Sequence, residues 1–231
     1  MQELKFRNEY KHVINKSHAA VLKSRLKTLL KTDPFANENG EYFIRSLYFD
    51  TYEDKSLYEK LNGVPFRHKY RIRFYNFDAS VIKLENKIKK YNSATKLIAN
   101  LSKEEVEKIF RQQYDFLKYS EDPLKTAFYQ ELNSEGLIPK TVVDYIRTPF
   151  IYPHGNVRIT IDSNIRSPVG QIGITDLFNP NTPTVSIFPD ERCVLEVKYD
   201  EFLPDFIRKI IQTEGATTSS MSKYASCRMF M

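Results

Sequence analysis

Long cationic side chains recur at alternate positions along several short apolar segments: Arg7 and Lys11, Arg71 and Arg73, Lys87, Arg147, Arg158 and Lys198. The same rows carry isolated carboxylates, Glu9, Glu85, Asp162 and Glu196. Arginine presents a planar fork of donors that matches a phosphate bidentately. A lone carboxylate among cations pairs with a neighbour, or holds a hard divalent cation such as Mg2+ or Mn2+ together with phosphate oxygens. These are the parts that phosphoryl transfer needs, because its chemistry is positioning plus neutralisation of developing charge.

Period-two alternation puts these residues on strands. Between Lys5 and Ile14, Phe6, Tyr10 and Ile14 share one face, and Lys5, Arg7, Glu9 and Lys11 the other. In Arg67–Asn76, Lys69, Arg71, Arg73 and Tyr75 oppose Tyr70, Ile72 and Phe74; in Val81–Lys89, Lys83, Glu85, Lys87 and Lys89 oppose Ile82, Leu84 and Ile88. Further strands are expected at Tyr42–Asp50, Lys140–Thr148, Asn156–Ile165 and Arg192–Asp200, with weaker candidates at Ile172–Thr175 and Thr184–Phe188. Helices are expected from a Ser17 cap to about Lys31, over Thr51–Lys60 behind an Asp50-Thr51 cap, after the Ser102/Glu105 capping box, and over Leu124–Ser134 and Pro204–Gln212. The tail reads as polar, then briefly apolar.

Lys/Glu alternation is ordinary on a solvated sheet face. Repeated over six strands, biased to Arg and accompanied by lone acids, it points instead to charged faces turned inward. The expected fold is α+β: a closed eight-stranded antiparallel β-barrel with helices packed outside, residues 1–231 forming one domain.

Composition narrows the function. The chain has 231 residues, 35 Lys+Arg against 29 Asp+Glu, hence +6, and an ordinary globular 28% of charged residues. Only seven glycines occur, with neither GxGxxG nor GxxxxGK[ST], which removes most support for the two common nucleotide folds. The two cysteines, Cys193 and Cys227, have no CxxC or local His partner, so neither a disulfide framework nor a zinc site is expected, and Cys193 reads as core. His12, His18, His68 and His154 show no ligand spacing. No apolar run approaches ~18 residues. No membrane span or signal peptide is therefore expected, and the expected location is cytoplasmic. The candidate inward cations exceed the candidate acids by about the whole net charge, so the outer surface is expected to be near neutral and nucleic acid is not favoured as a partner.

The chain resembles the polyphosphate polymerase domain of the vacuolar transporter chaperone (VTC) type, in the triphosphate tunnel metalloenzyme or CYTH-like superfamily. The resemblance runs through FRNEYKHVI (Phe6–Ile14), RSLYFDT (Arg45–Thr51), KLNGVPFRHKYRIRFY (Lys60–Tyr75), KLENKIKK (Lys83–Lys90), VVDYIRTPF (Val142–Phe150), VRITIDSNIR (Val157–Arg166), VLEVKYDEFLP (Val194–Pro204) and SMSKY (Ser220–Tyr224). It implies a tunnel that binds ATP, triphosphate or polyphosphate with Mn2+ or Mg2+. Lys11, Arg71, Arg73, Glu85 and Lys87 would be catalytic. Arg45, Lys96, Tyr145, Arg147, Arg158, Lys198, Ser222 and Lys223 would contact phosphate, and Glu196 would hold the metal. The wider superfamily opens with ExExK, whereas this chain reads Arg7-x-Glu9-x-Lys11, closer to the polymerase branch. The expected reaction is transfer of the ATP γ-phosphoryl onto polyphosphate. The alternatives are hydrolysis of tripolyphosphate or nucleoside triphosphate on the same site, if Glu9 or Glu85 activates water, and non-catalytic polyanion binding. No oligomeric state follows from the sequence.

Overall fold

The computed structural model describes residues 5–170, 173–188, 190–212, 217–218 and 221–230. Along the chain come β1 (Arg7–Ile14), α1 (Lys16–Leu29), β2 (Lys31–Thr32), β3 (Tyr42–Asp50), α2 (Lys55–Leu61), β4 (Phe66–Tyr75), β5 (Asp78–Lys90) and β6 (Ser93–Leu101). Then follow α3 (Lys103–Phe110), α4 (Asp115–Lys118), α5 (Pro123–Ser134), β7 (Ile138–Tyr152), a 3-10 turn (His154–Asn156), β8 (Val157–Pro168) and α6 (Ile174–Phe178). The last elements are β9 (Thr184–Ser186), β10 (Cys193–Tyr199), α7 (Asp205–Ile211), β11 (Thr217–Thr218) and α8 (Lys223–Phe230).

Eight strands form a ring in the order β7-β3-β4-β5-β6-β1-β10-β8, and β8 pairs back onto β7. Every pairing is antiparallel, and β2, β9 and β11 add short extensions. The β1–β6 ladder is the shortest in the ring, with two residue pairs, Arg7 with Ala94 and Asn8 with Ser93.

Alternation sorts the faces. Outward-facing Ile72, Phe74, Ile82 and Leu84 pack beneath α3, α4 and α5 with Val106, Leu117 and Phe128. Ile159, Ile161, Leu195 and Val197 pack beneath α1 and α7 with Leu22, Leu26 and Ile207. A third cluster joins Tyr48, Val143 and Tyr145 to Tyr224, Ala225 and Cys227 of α8.

Several local expectations hold. The Ser102 hydroxyl accepts from the Glu105 N–H while the Glu105 carboxylate accepts from the Ser102 N–H, opening α3. The helix expected from Thr51 begins only at Lys55, with Asp54 at the cap position, but Asp50 still accepts from the N–H groups of Thr51, Ser56 and Leu57 and fixes the entry of α2. Others are corrected. The cap of α1 is Asn15, whose side chain accepts from the His18 N–H, rather than Ser17. The Ile172–Thr175 strand is not formed: Ile172 lies outside the described residues, and Gly173–Thr175 opens α6, where the Asp176 carboxylate accepts from the Gly173 N–H. Strand β6 and helix α8 were not anticipated. Both cysteines are buried and free. Among the described residues no helix is long and apolar enough to cross a membrane.

Candidate functional site

The inward faces of the ring strands enclose a cavity. Arg67, Lys69, Arg71 and Arg73 project into it from β4, and Lys87 and Lys89 from β5. Glu9 and Lys11 come from β1, Glu196 and Lys198 from β10, and Tyr145 and Arg147 from β7. Helix α8 and the residues before it add Ser222 and Lys223, and α2 adds Lys60. Among the described lining residues, eleven are cations and two are carboxylates, so the cavity attracts anions.

Three buried acids or acid pairs organise these cations. Glu85 lies directly across the β4–β5 ladder from Arg71. It accepts from Arg71 Nε at 2.7 Å and from Lys96 Nζ at 2.7 Å, while Arg71 also donates to the Tyr48 hydroxyl at 2.8 Å. Arg73 donates to Ser46 Oγ and to the Tyr145 hydroxyl, each at 2.9 Å. Across the ring, Arg147 grips Asp162 with two bonds of 2.7 and 2.8 Å, and Lys223 Nζ lies 2.6 Å from the same carboxylate. The third group joins Glu9 and Glu196. Lys11 Nζ lies 3.0 Å from Glu9 and 3.5 Å from Glu196, Lys87 Nζ 2.9 Å from Glu9, and Lys198 Nζ 3.5 Å from Glu196. Arg147 also reaches Glu196 at 3.3 Å, linking the second and third groups.

Electrostatics follow from this arrangement. Burial alone would raise the acids, but the cations outweigh it. Lys11 and Lys87 hold Glu9 well below the carboxylate range, Arg71 and Arg73 do so for Glu85, and Lys198 and Lys11 for Glu196. The cations are compensated unevenly. Burial, with Lys11 and Lys198 close by, pushes Lys87 down to about 7 despite Glu9. Burial, with Lys11 and Arg67 close by, pushes Lys69 to about 7. Burial also lowers Lys96 to about 8 despite Glu85. Burial lifts Tyr145 to about 12, so its hydroxyl stays protonated.

The expected residues therefore divide. Lys11, Arg71, Arg73, Lys87, Tyr145, Arg147, Glu196, Lys198, Ser222 and Lys223 line one cavity. Glu85 lies beneath Arg71 and is fully buried, with Lys96 bonded to its other oxygen. Arg158 is on the inward face of β8 but outside the lining, held by Asp33 at 2.6 Å and the Tyr42 hydroxyl at 3.0 Å. Arg45 corrects its expected place on the wall. It points to the outer face of β3, 1% exposed, with two bonds to Asp144 of 2.9 and 2.7 Å. It also donates to the carbonyls of Asp176, Leu177 and Asn179, which makes it an anchor for α6.

Four cations were missing from the expected set. Arg67, Lys69 and Lys89 share the alternating faces already read in the sequence, which was the signal available. Lys60 sits on a helix, where strand periodicity says nothing.

Among the described residues no cluster of three or more His, Cys, Asp or Glu side chains could hold a metal ion. A protein-only cage is thus absent from them. The carboxylates of the lining are Glu9 and Glu196; Thr160, registered against Glu196, has a buried hydroxyl with no partner among the described residues. That hard, sparse set fits a divalent cation that takes its remaining ligands from phosphate.

The sequence model of the VTC domain matches residues 6–231. No curated protein matches the chain. Among solved structures it is similar to HpAC1 of Hippeastrum, a putative adenylyl cyclase with a dominant triphosphatase activity (TM-score 0.58, 16% identity, 96% of this chain and 95% of that one). It is also similar to a putative adenylate cyclase of Bacillus halodurans (TM-score 0.53, 15% identity, 90% and 87%). At these identities the likeness is one of fold.

Proposed function

The chain belongs to the VTC domain family, and from that premise we propose that it transfers the γ-phosphoryl group of ATP onto a growing polyphosphate inside a closed, single-domain tunnel. The observation that carries the reading is the state of the acids. The hydrolase alternative offered by the sequence has Glu9 or Glu85 take a proton from water. Glu9 and Glu85 are each saturated by cations and held strongly ionised. An acceptor that is already an anionic phosphate needs no such base.

Arg71, Arg73, Lys11, Lys87, Arg147 and Lys198 would bind and orient the phosphates, with Ser222 and Lys223 closing the cavity at α8. A terminal oxygen of the acceptor chain would form the new P–O bond to the γ-phosphorus. The bond from that phosphorus to the β–γ bridging oxygen would break, and ADP would leave with the electron pair. Glu196, with Glu9 beside it, would hold Mn2+ or Mg2+, which neutralises charge on the phosphate oxygens when bound. Lys11 and Lys198 would keep both carboxylates ionised for that task.

Incubation with ATP and manganese tests the reading. Long-chain polymer on a gel, with stoichiometric ADP, is the expected result. Release of orthophosphate alone would make the protein a triphosphatase. Binding of tripolyphosphate with no turnover would make it a polyanion-binding module.

A further inference from the structure

Arg67 and Lys89 stand directly opposite one another across the β4–β5 ladder, and so do Lys69 and Lys87. Like charges so placed destabilise a ladder. Deeper in the ring the cations have acids: Arg71 has Glu85, Arg147 has Asp162, and Lys11 has Glu9 and Glu196. At the Arg67 end this compensation thins, with Glu59, Asp50 and Glu9 acting on Arg67, Lys69 and Lys89 only from beyond ion-pair distance. Among the described residues no carboxylate lies within ion-pair distance of Arg67, Lys69 or Lys89. Arg67 donates to the Val64 carbonyl, and the Lys69 ammonium lies over the Tyr224 ring, 4.9 Å from its centre. Burial and the Arg67 guanidinium lower Lys89, and burial with neighbouring cations lowers Lys69, as expected where a counter-anion is wanting.

Length matters as well. Arg67, Lys69, Arg71 and Arg73 form one inward row along β4. Six residues of extended strand cover about 20 Å, and a triphosphate can neutralise only part of such a row.

We propose that Arg67, Lys69 and Lys89 form an outer subsite for the non-reacting phosphates of a long chain, and that this subsite makes the protein prefer long polyphosphate over a triphosphate. The proposal rests on the reading of the cavity as a phosphate-chain site. The acid-compensated groups hold the reacting end, and the groups without a paired acid hold the body of the polymer.

The test is calorimetric titration with tripolyphosphate and with long-chain polyphosphate, both without metal, on the natural chain and on the R67Q/K89Q variant. The ratio of long-chain to tripolyphosphate affinity should fall about tenfold, equivalent to ~1.4 kcal/mol. The salt dependence of long-chain binding should flatten. The unliganded variant should melt at a higher temperature than the natural chain, because a like-charge pair has gone. Equal weakening of both ligands overturns the outer subsite. Failure of the natural chain to bind either ligand overturns the phosphate-chain reading itself. The single R67Q variant repeats the affinity-ratio measurement if the double variant does not fold.

Discussion

The Glu9 carboxylate on β1 and the Lys87 ammonium on β5 meet inside the ring, with Nζ 2.9 Å from both carboxylate oxygens, although β6 lies between their strands. The pair bridges the ring across its shortest ladder. Replacing Glu9 with Gln leaves Lys11 and Lys87 short of a buried counter-charge, which costs about 3–5 kcal/mol. The melting temperature of the unliganded variant should fall, and tripolyphosphate should restore most of the loss. A loss that the anion leaves untouched would contradict an anion-binding interior.

Glu196 touches Lys11, Lys198 and Arg147. Glu196→Gln should reduce manganese-dependent turnover at least ~100-fold, of the size seen when one transition-state electrostatic group is lost. Tripolyphosphate should still bind without metal. Circular dichroism should retain the native spectrum, and survival of turnover would remove Glu196 from the metal assignment.

Arg71 and Glu85 form a pair that a double-mutant cycle can separate. Arg71→Ala should raise KM at least ~10-fold, the loss of a strong charge-assisted phosphate contact. It should also lower stability, since it leaves Glu85 with only Lys96 at 2.7 Å and Arg73 at 3.9 Å. Adding Glu85→Gln should recover stability but not KM. Recovery of both would make Arg71 a structural cation only.

The lysines predict a pH dependence of unusual sign. Lys69 and Lys87 titrate at about 7 in the fold, against ~10.4 in an unfolded chain. Between those values the unfolded chain binds more protons, so the unliganded protein gains stability as pH rises from 7. Long-chain polyphosphate favours the charged lysines. Its affinity should fall as pH rises from 6.5 to 8.5, and calorimetry in two buffers of different ionisation heat should register proton uptake. Affinity that is flat over this range would mean that both amines are already charged in the empty cavity.

Arg45 and Asp144 form a buried bidentate pair on the outside of the ring. Arg45→Met should destabilise the protein by about 3–5 kcal/mol, visible as a lower urea midpoint. KM for ATP should stay within about twofold of the natural chain when assayed well below the transition. A large rise in KM would return Arg45 to the wall.

Much of the cavity was legible because a strand with one buried polar face writes that face into every second residue. The rows at Arg71/Arg73, Glu85/Lys87 and Glu196/Lys198 all fall where alternation puts them. The phase fails in β3, where YFIRSLYFD is mostly buried on both faces, so nothing local tells Arg45 from Ser46. Ser46 and Tyr48 are the inward pair, bonded to Arg73 and Arg71. Strand β6 escaped notice because SATKLIANL lacks clean alternation, with Leu97 and Ile98 both exposed beside buried Ala99. Helix α8 is short, and its place is set by Tyr224 reaching Asp50 and by Arg228 reaching Asp54, partners 174 residues away.

The ladder between β1 and β10 carries a consequence for biosynthesis. It joins the first and last strands of the ring, Asn8–Ile14 against Cys193–Tyr199, and Arg7 bonds to Asp200 across 193 positions of sequence. On the ribosome the β4–β5 hairpin, with its opposed cations, emerges long before Glu196 does. Such distant pairing is slow to form. Until β10 follows, the nascent chain therefore carries basic hairpins able to gather loose anions but without a cavity to hold them. Saturable capture of a phosphate chain then becomes a signature of ring closure, one that a nascent fragment lacking β10 does not imitate.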